Sequence, residues 1–255
     1  ISAILGPRAV LFSAVGQNPP EPRGPEDAAP VVFGLLNGCT TVDEIGLRLG
    51  IGRFAALRAI VELMEAGRTR PATVGELAQE VDSRVQRQKL ASARALVFQW
   101  ADTEPDNPAP YQKLAGIAST AQAPEEEAAA LVQLAEIQLR VGRAGEAVES
   151  CRLAGARRPG DPDVLAAMRG AARAAGEARL YRELTIELAQ ASLDADDAER
   201  CTGLLAELDP VDYGDLGARL LRAKALVRLK DRIALIAEVE AIAKESPTGN
   251  KKGVK

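Results

Sequence analysis

Between Thr73 and about Lys244 the chain is a succession of helical segments, and each segment ends at a short turn signal. Apolar residues recur within the segments at spacings of three and four, the period of an amphipathic helix. The turn signals are Pro105–Pro108, Ala123-Pro124, Gly142, Pro159–Pro162, Gly176, Asp194–Asp197, Pro210–Gly214 and Lys230-Asp231. A first helix runs from Thr73 to about Arg84, and the turn signals divide the rest into about nine helices of roughly 12 to 18 residues. Helices of this length with short loops are typical of stacked helical hairpins. The pattern predicts an all-α solenoid.

Composition supports helices over strands. Alanine, the best helix former, supplies 47 of the 255 residues, while aromatic residues make up only 3%. Aromatic and β-branched residues are the types that favour strands. We therefore expect thin helices that pack closely. Alanine content together with an excess of arginine over lysine is typical of a GC-rich bacterial genome.

An internal repeat runs through the helical region. Three prolines each follow an alanine by twelve residues, and the pairs are Ala93 and Pro105, Ala147 and Pro159, and Ala198 and Pro210. An alanine suits a close crossing of two helices, and a proline ends the second helix. The prolines are 54 and 51 residues apart, which predicts one helix more per unit than a helical hairpin contains.

The segment LVQLAEIQLRVGRAGEAVESCRLAGARRPGDP resembles a tetratricopeptide repeat. Its small and apolar residues fall on the positions of that family, and they are Leu134-Ala135, Gly142, Ala147, Ala154 and Pro159. The resemblance extends from Val74 to about Lys244. It implies a non-enzymatic scaffold whose first helices line an inner surface that holds another protein or a peptide.

Six cations lie on or beside those first helices and are the predicted partner-binding residues: Arg169, Arg173, Arg182, Arg219, Arg222 and Lys224. Arginine and lysine side chains in such a position can bind a carboxylate of a peptide. The alternative interpretation is a solvated helix face on which each cation pairs with an acid one turn away.

A smaller helical module precedes the repeats. We expect helices over Val31–Leu36, ending at Asn37-Gly38, and over Phe54–Ala66. Between them, Thr41 and Glu44 form a capping box that starts a helix ending at Gly50, and Thr73 and Glu76 form a second box at the first repeat helix. Residues 68–71 follow as a short basic hairpin or turn. This order predicts a winged helix-turn-helix.

The stretch VVFGLLNGCTTVDEIGLRLGIGRFAALRAIVELMEAGRTRP resembles the winged-helix segment of bacterial PATAN-type regulatory proteins. The domain prediction is therefore an N-terminal remnant and proline-rich linker at 1–29, with a strand at Ala9–Val15, and a winged-helix module at 30–72. The repeats occupy 73–246, and a disordered tail follows at 247–255. We expect the chain to be a fragment of a longer protein.

The sequence contains no histidine, which excludes Ser-His-Asp and Cys-His catalysis and histidine-ligated metal sites. Gly50-Ile-Gly52 lacks the third glycine of a dinucleotide fingerprint, and no phosphate-binding loop motif occurs. We interpret Glu125–Glu127 as the first turn of a helix and Asp194–Asp197 as an interhelix turn. The prediction is no enzyme, no catalytic residue, no metal and no cofactor.

The three cysteines, Cys39, Cys151 and Cys201, are widely spaced and predict buried thiols in a reducing compartment. The expected localisation is therefore the cytoplasm. No stretch approaches the ~20 apolar residues that a membrane helix requires, so membrane insertion is not expected.

Nucleic-acid binding is the alternative function. In a winged helix that binds DNA, the contacting residues would be Arg53, Arg58, Arg68 and Arg70. The net charge of the chain is −4, and residues 30–75 carry a net +1, whereas DNA affinity needs several unopposed cations. We therefore favour a scaffold or adaptor in a bacterial signalling or assembly pathway over a transcription regulator. The module is expected to pack through its apolar edge near Phe54 and Leu57.

Overall fold

The computed structural model describes residues 11–16, 18–21, 27–208 and 216–245. The chain divides into two compact units, Ile1–Ile137 and Gln138–Lys255. The elements of unit 1 are β1 (Leu11–Ala14), α1 (Ala29–Phe33), β2 (Asn37–Thr41), α2 (Val42–Leu49), α3 (Arg53–Glu65), β3 (Thr69–Pro71), α4 (Val74–Gln86), α5 (Leu90–Thr103) and α6 (Ala109–Thr120). Helix α7 (Pro124–Arg140) contains the division. Unit 2 contains α8 (Ala144–Arg157), α9 (Pro162–Ala175), α10 (Ala178–Asp194), α11 (Ala198–Ala206), α12 (Leu216–Leu229) and α13 (Arg232–Glu245).

The helices pack in chain order, which confirms the all-α helical-hairpin class. In unit 1, α4 packs on α5 and α5 on α6; in unit 2, each helix from α8 to α13 packs on the next. From Thr73 onward the described residues form ten helices: α4, which the sequence predicted as far as about Arg84, and the nine expected after it. The turn between α4 and α5 contains Gln88, whose φ is +59°. Neither glycine nor proline occurs in this turn.

The repeat alanines occupy the predicted kind of position. Ala93, Ala147 and Ala198 are all buried, and they lie on α5, α8 and α11. Successive members of the series are thus three helices apart, which agrees with the extra helix that the proline spacing predicted.

A three-stranded sheet accompanies the first three helices. Its strand order is β2–β1–β3, and both pairings are antiparallel, with Ser13 of β1 opposite Asn37 on one side and Arg70 on the other. The strand predicted at Ala9–Val15 is confirmed as β1 within the described residues, and Ala9 lies outside them.

Two local predictions in this region are wrong. Residues 69–71 form the edge strand β3 and not a hairpin or turn, because their backbone groups pair with β1. Asn37-Gly38 begins β2 and does not end a helix, since α1 ends at Phe33. The centre of the sheet is therefore a strand that precedes the helices in the chain. The winged-helix assignment and the predicted domain boundaries stay predictions.

The core under this sheet joins β1 to the three helices. Phe12, Val32, Ile45 and Ile60 are fully buried members of one apolar cluster. Both capping boxes form as predicted: the Thr41 and Thr73 hydroxyls accept from the backbone N–H of Glu44 and Glu76, and each glutamate caps in return. Gly50 ends α2 with a left-handed φ of +66°.

Several side chains of special interest are buried, including two of the three thiols that the sequence predicts to be buried. Trp100 is buried on α5, and its Nε1 donates to Oε2 of Glu104 at 3.2 Å. Cys151 and Cys201 are buried thiols, and burial raises the pKa of Cys201. Cys39 lies in β2, and its side chain falls outside the described atoms. In the part of the chain that the structure describes, no helix is long and apolar enough to cross a membrane.

Candidate protein-binding surfaces

An apolar groove opens between α5, α6 and α7 in unit 1, and we call it the α5–α7 groove. Its volume is about 470 Å³. The lining is mostly aliphatic, alanine and aromatic side chains, with a polar margin: Leu90, Ala91, Arg94, Phe98, Leu114, Ile117, Ala118, Ala121, Glu125, Glu126, Ala129, Ala130 and Gln133. The alanines leave the space open, because larger side chains at those positions would fill it.

The margin of the α5–α7 groove is charged. Nη1 of Arg94 on α5 donates to Oε2 of Glu126 on α7, so an ion pair joins the two sides. Glu125 and Glu126 belong to the first turn of α7, where carboxylates favour the positive end of the helix dipole. With one guanidinium and two carboxylates, the margin has a formal charge of −1. The groove therefore combines an apolar floor with a slightly acidic margin.

A second cavity lies in unit 2, and we call it the α10 cleft. Its volume is about 650 Å³. Helix α10 contributes three carboxylates, Glu183, Glu187 and Asp194, and the apolar part includes Leu165 and Leu221. None of the six cations predicted to bind a partner lines either cavity.

The predicted partner-binding cations instead contact neighbouring helices within unit 2. Arg169 donates to Thr185 Oγ1 and Tyr181 OH, each at 2.9 Å, and also to Glu207 Oε2. Nη1 of Arg173 lies 4.0 Å from the same Glu207 atom. These contacts join α9 and α10 to the end of α11.

The other four predicted residues lie on α10 and α12. Nη1 of Arg219 and of Arg222 lie 3.8 Å and 3.4 Å from the carboxylate of the buried Glu238 on α13. Arg182 is half-buried, and Lys224 is exposed. The structure thus brings Arg169 together with Arg173 at Glu207, and Arg219 together with Arg222 at Glu238. Their assignment to a partner stays a prediction.

The four predicted DNA contacts also have intramolecular partners. Nη1 of Arg53 lies 3.1 Å from Asp43, and Nε of Arg58 lies 3.1 Å from Glu62. Arg68 donates to the backbone carbonyl of Asn18, and its guanidinium lies 5.4 Å from the ring centre of Phe33. Arg70 donates to both carboxylate oxygens of Glu76 at 2.8 Å and 3.0 Å.

Sequence reasoning missed a buried arginine that joins the sheet-containing region to the first repeat helix. Arg84 on α4 is only 4% exposed, and it donates to Glu80 at 2.7 Å and to Glu44 at 3.1 Å. The four-residue spacing of Glu80 and Arg84 could have indicated their ion pair. The contact with Glu44 could not be inferred, because Glu44 lies 40 residues away in the chain. Phe54, expected to pack at the apolar edge, is 68% exposed, whereas Leu57 is buried in the core of its own module.

Among the described residues, no group of three or more cysteine, aspartate or glutamate side chains is arranged to hold a metal ion. No protein-family model matches the chain. No curated protein matches it either.

Several solved structures align with the chain at low similarity. MamA (residues 41 to the end) from Desulfovibrio magneticus RS-1 is 10% identical, with 69% of this chain and 97% of that chain covered and a TM-score of 0.24. A kinesin light chain from Podospora anserina with TPR-like repeats is 17% identical over 69% of this chain and 97% of that chain, with a TM-score of 0.26. Naa15/Naa10 bound to HypK-THB is 15% identical over 76% and 34%, with a TM-score of 0.24.

Proposed function

We propose that this protein is a non-enzymatic scaffold that binds another protein through the α5–α7 groove. The observation that carries the proposal is an open apolar groove of about 470 Å³ between three consecutive helices. A hydrophobic groove between helices is the kind of surface that binds the apolar face of an amphipathic helix. The α5–α7 groove has such an apolar floor, with a few polar groups at its margin.

The margin specifies the partner's chemistry. An amphipathic helix binds a groove through apolar side chains at spacings of three and four. Because Glu125 and Glu126 outnumber Arg94, a basic residue beside those apolar side chains complements the margin. The partner is therefore an amphipathic protein segment that carries lysine or arginine next to its apolar face.

Two sequence properties support a scaffold over an enzyme. The absence of histidine removes the most frequent general acid–base residue. The helical hairpins resemble tetratricopeptide repeats, whose grooves hold partner proteins. We infer that the scaffold belongs to a bacterial signalling or assembly pathway and acts in the cytoplasm. Transcription regulation is not favoured, since Arg53, Arg58, Arg68 and Arg70 are each engaged within the chain.

A displayed library of amphipathic helical peptides tests the proposal, followed by affinity measurements with fluorescence polarisation. The groove-filling variant is Ala129→Phe, because Ala129 lies in the groove and is exposed. Its matched control is Ala156→Phe, at an exposed alanine of α8. We expect selected peptides to be basic and amphipathic and to lose at least about tenfold in affinity for Ala129→Phe alone. Selection of no peptide, or equal affinity for both variants, would refute the proposal.

A further inference from the structure

Helix α13 has an inner face that is fixed by its contacts with α12. Glu238 is buried, and Nη1 of Arg219 and of Arg222 on α12 lie 3.8 Å and 3.4 Å from its Oε1 and Oε2. Leu235 and Ile242, which lie on the same side of the helix as Glu238, are half-buried. The opposite side of α13 is therefore directed away from α12.

That opposite side is almost entirely apolar, and we call it the outer face of α13. Ile233, Ile236 and Val239 are 85%, 60% and 51% exposed. Ala237 and Ala243 are exposed on the same side, and Glu240 is the only charged residue there between Ile233 and Ala243. Surface helices ordinarily expose polar residues. Exposed apolar patches of this kind are typical of interaction sites.

The distribution of charge along α13 indicates what covers this face. The exposed Arg232 is the first residue of α13, and Glu240 lies two turns further on. Asp231, just before the helix, accepts from the backbone N–H of Ala234 at 3.0 Å. If two copies pair antiparallel about Ile236 and Ala237, Glu240 of each copy lies beside Arg232 and Ile233 of the other. In a parallel arrangement the two Glu240 side chains would face each other and repel. The face is thus complementary to itself in one orientation.

We propose that the outer face of α13 binds the same face of a second copy of this chain, antiparallel and related by a twofold axis. Such a contact uses one surface twice and closes as a dimer. The small side chain of Ala237 lies at the crossing point, where it permits close approach of the two helices. Two equivalent Glu240–Arg232 pairs flank the apolar centre.

Sedimentation equilibrium of the whole chain over a range of concentrations tests for the dimer. We expect Ile236→Glu to raise the dimer Kd at least about 100-fold, because it places two carboxylates at the centre of the contact. The matched control is Leu153→Glu, at an exposed leucine of α8, which should leave the Kd unchanged. A wild-type chain that is monomeric at 100 µM or so, or equal effects of the two variants, would overturn the proposal.

A charge exchange tests the orientation of the two helices. Glu240→Arg should raise the dimer Kd about tenfold or more, because it opposes Arg232 of the other copy with a like charge. Adding Arg232→Glu to the same chain should restore the affinity. If the double variant stays as weak as Glu240→Arg, the antiparallel register is wrong. Far-ultraviolet circular dichroism of each variant verifies that its helices are retained.

Discussion

The carboxylate of Glu76 accepts two hydrogen bonds from the guanidinium of Arg70, at 2.8 Å and 3.0 Å. It also caps α4, because it accepts from the backbone N–H of Thr73 at 2.7 Å. The same side chain accepts from Ser13 Oγ of β1 at 3.1 Å. Glu76 therefore connects the central strand, the edge strand and the first repeat helix.

The protonation of Glu76 predicts a loss of stability in acid. The hydrogen bond from Arg70, followed by that from the Thr73 backbone, lowers the pKa of Glu76 to about 2 from its ordinary 4.5. A carboxyl group with a lowered pKa in the folded state stabilises the protein above its ordinary pKa, and that contribution disappears as the pH falls from about 4.5 to about 2. Urea unfolding followed by circular dichroism at pH 7, 4 and 2.5 measures it.

The matched variant for this test is Glu76→Gln. Its deficit in unfolding free energy relative to wild type should be largest at pH 7 and should shrink toward pH 2.5, because the carboxyl of the unfolded wild-type chain is protonated at that pH and unfolding then takes up a proton. A deficit that stays constant with pH would contradict a role for the ionised carboxylate.

Loss of Arg84 should destabilise unit 1 strongly. Arg84→Met removes the guanidinium between Glu44 and Glu80, and breaking a buried ion pair costs about 3–5 kcal/mol. The control is Arg179→Met, because Arg179 is 93% exposed and pairs with Glu183, and such surface pairs contribute about 0–1 kcal/mol. Thermal and urea unfolding compare the two. Equal stability of the two variants would show that Arg84 does not hold α2 and α4 together.

Enlarging Ala147 should overpack unit 2. Ala147 has no exposed surface on α8, so Ala147→Leu forces neighbouring side chains to move at a cost of typically ~1–3 kcal/mol. Ala156→Leu on the same helix adds the same atoms at an exposed position and should change stability little. If Ala147→Leu melts at the same temperature as the wild type, the close helix crossing at this residue would be refuted.

The protein should bind random duplex DNA weakly even at low salt. Arg53 and Arg58 would have to exchange their contacts with Asp43 and Glu62 for phosphates, and the whole chain has a net charge of −4. A mobility shift at about 50 mM salt should therefore show no complex at micromolar protein. If a micromolar or tighter complex forms and the double variant Arg53→Glu with Arg58→Glu abolishes it, the alternative function of a transcription regulator would be supported instead.

The features that the sequence predicts correctly depend on residues close together in the chain. Thr41 and Glu44 form a capping box within one helical turn, and the same holds for Thr73 and Glu76. The buried Ala147 follows from its spacing to a helix-ending proline. These features can be predicted because the residues that form them are close together in the chain.

The features that sequence reasoning missed depend on distant partners or lack a turn residue. Residues 69–71 become a strand only because β1, more than fifty residues earlier, pairs with them. Arg169 contacts Glu207, 38 residues later, so its assignment to an inner surface could not include that contact. The positive φ of Gln88 could not be predicted from its residue type, because glycine and asparagine are the residues that usually adopt this conformation.

The burial of Trp100 has a spectroscopic consequence. It is the only tryptophan in the sequence and lies in unit 1, so its emission reports unfolding of that unit alone. Circular dichroism reports the helices of both units. Coincident denaturation curves from the two signals would mean that the units unfold together, and separated curves would mean that each unfolds by itself. The chain thus contains its own optical reporter of how cooperative its two halves are.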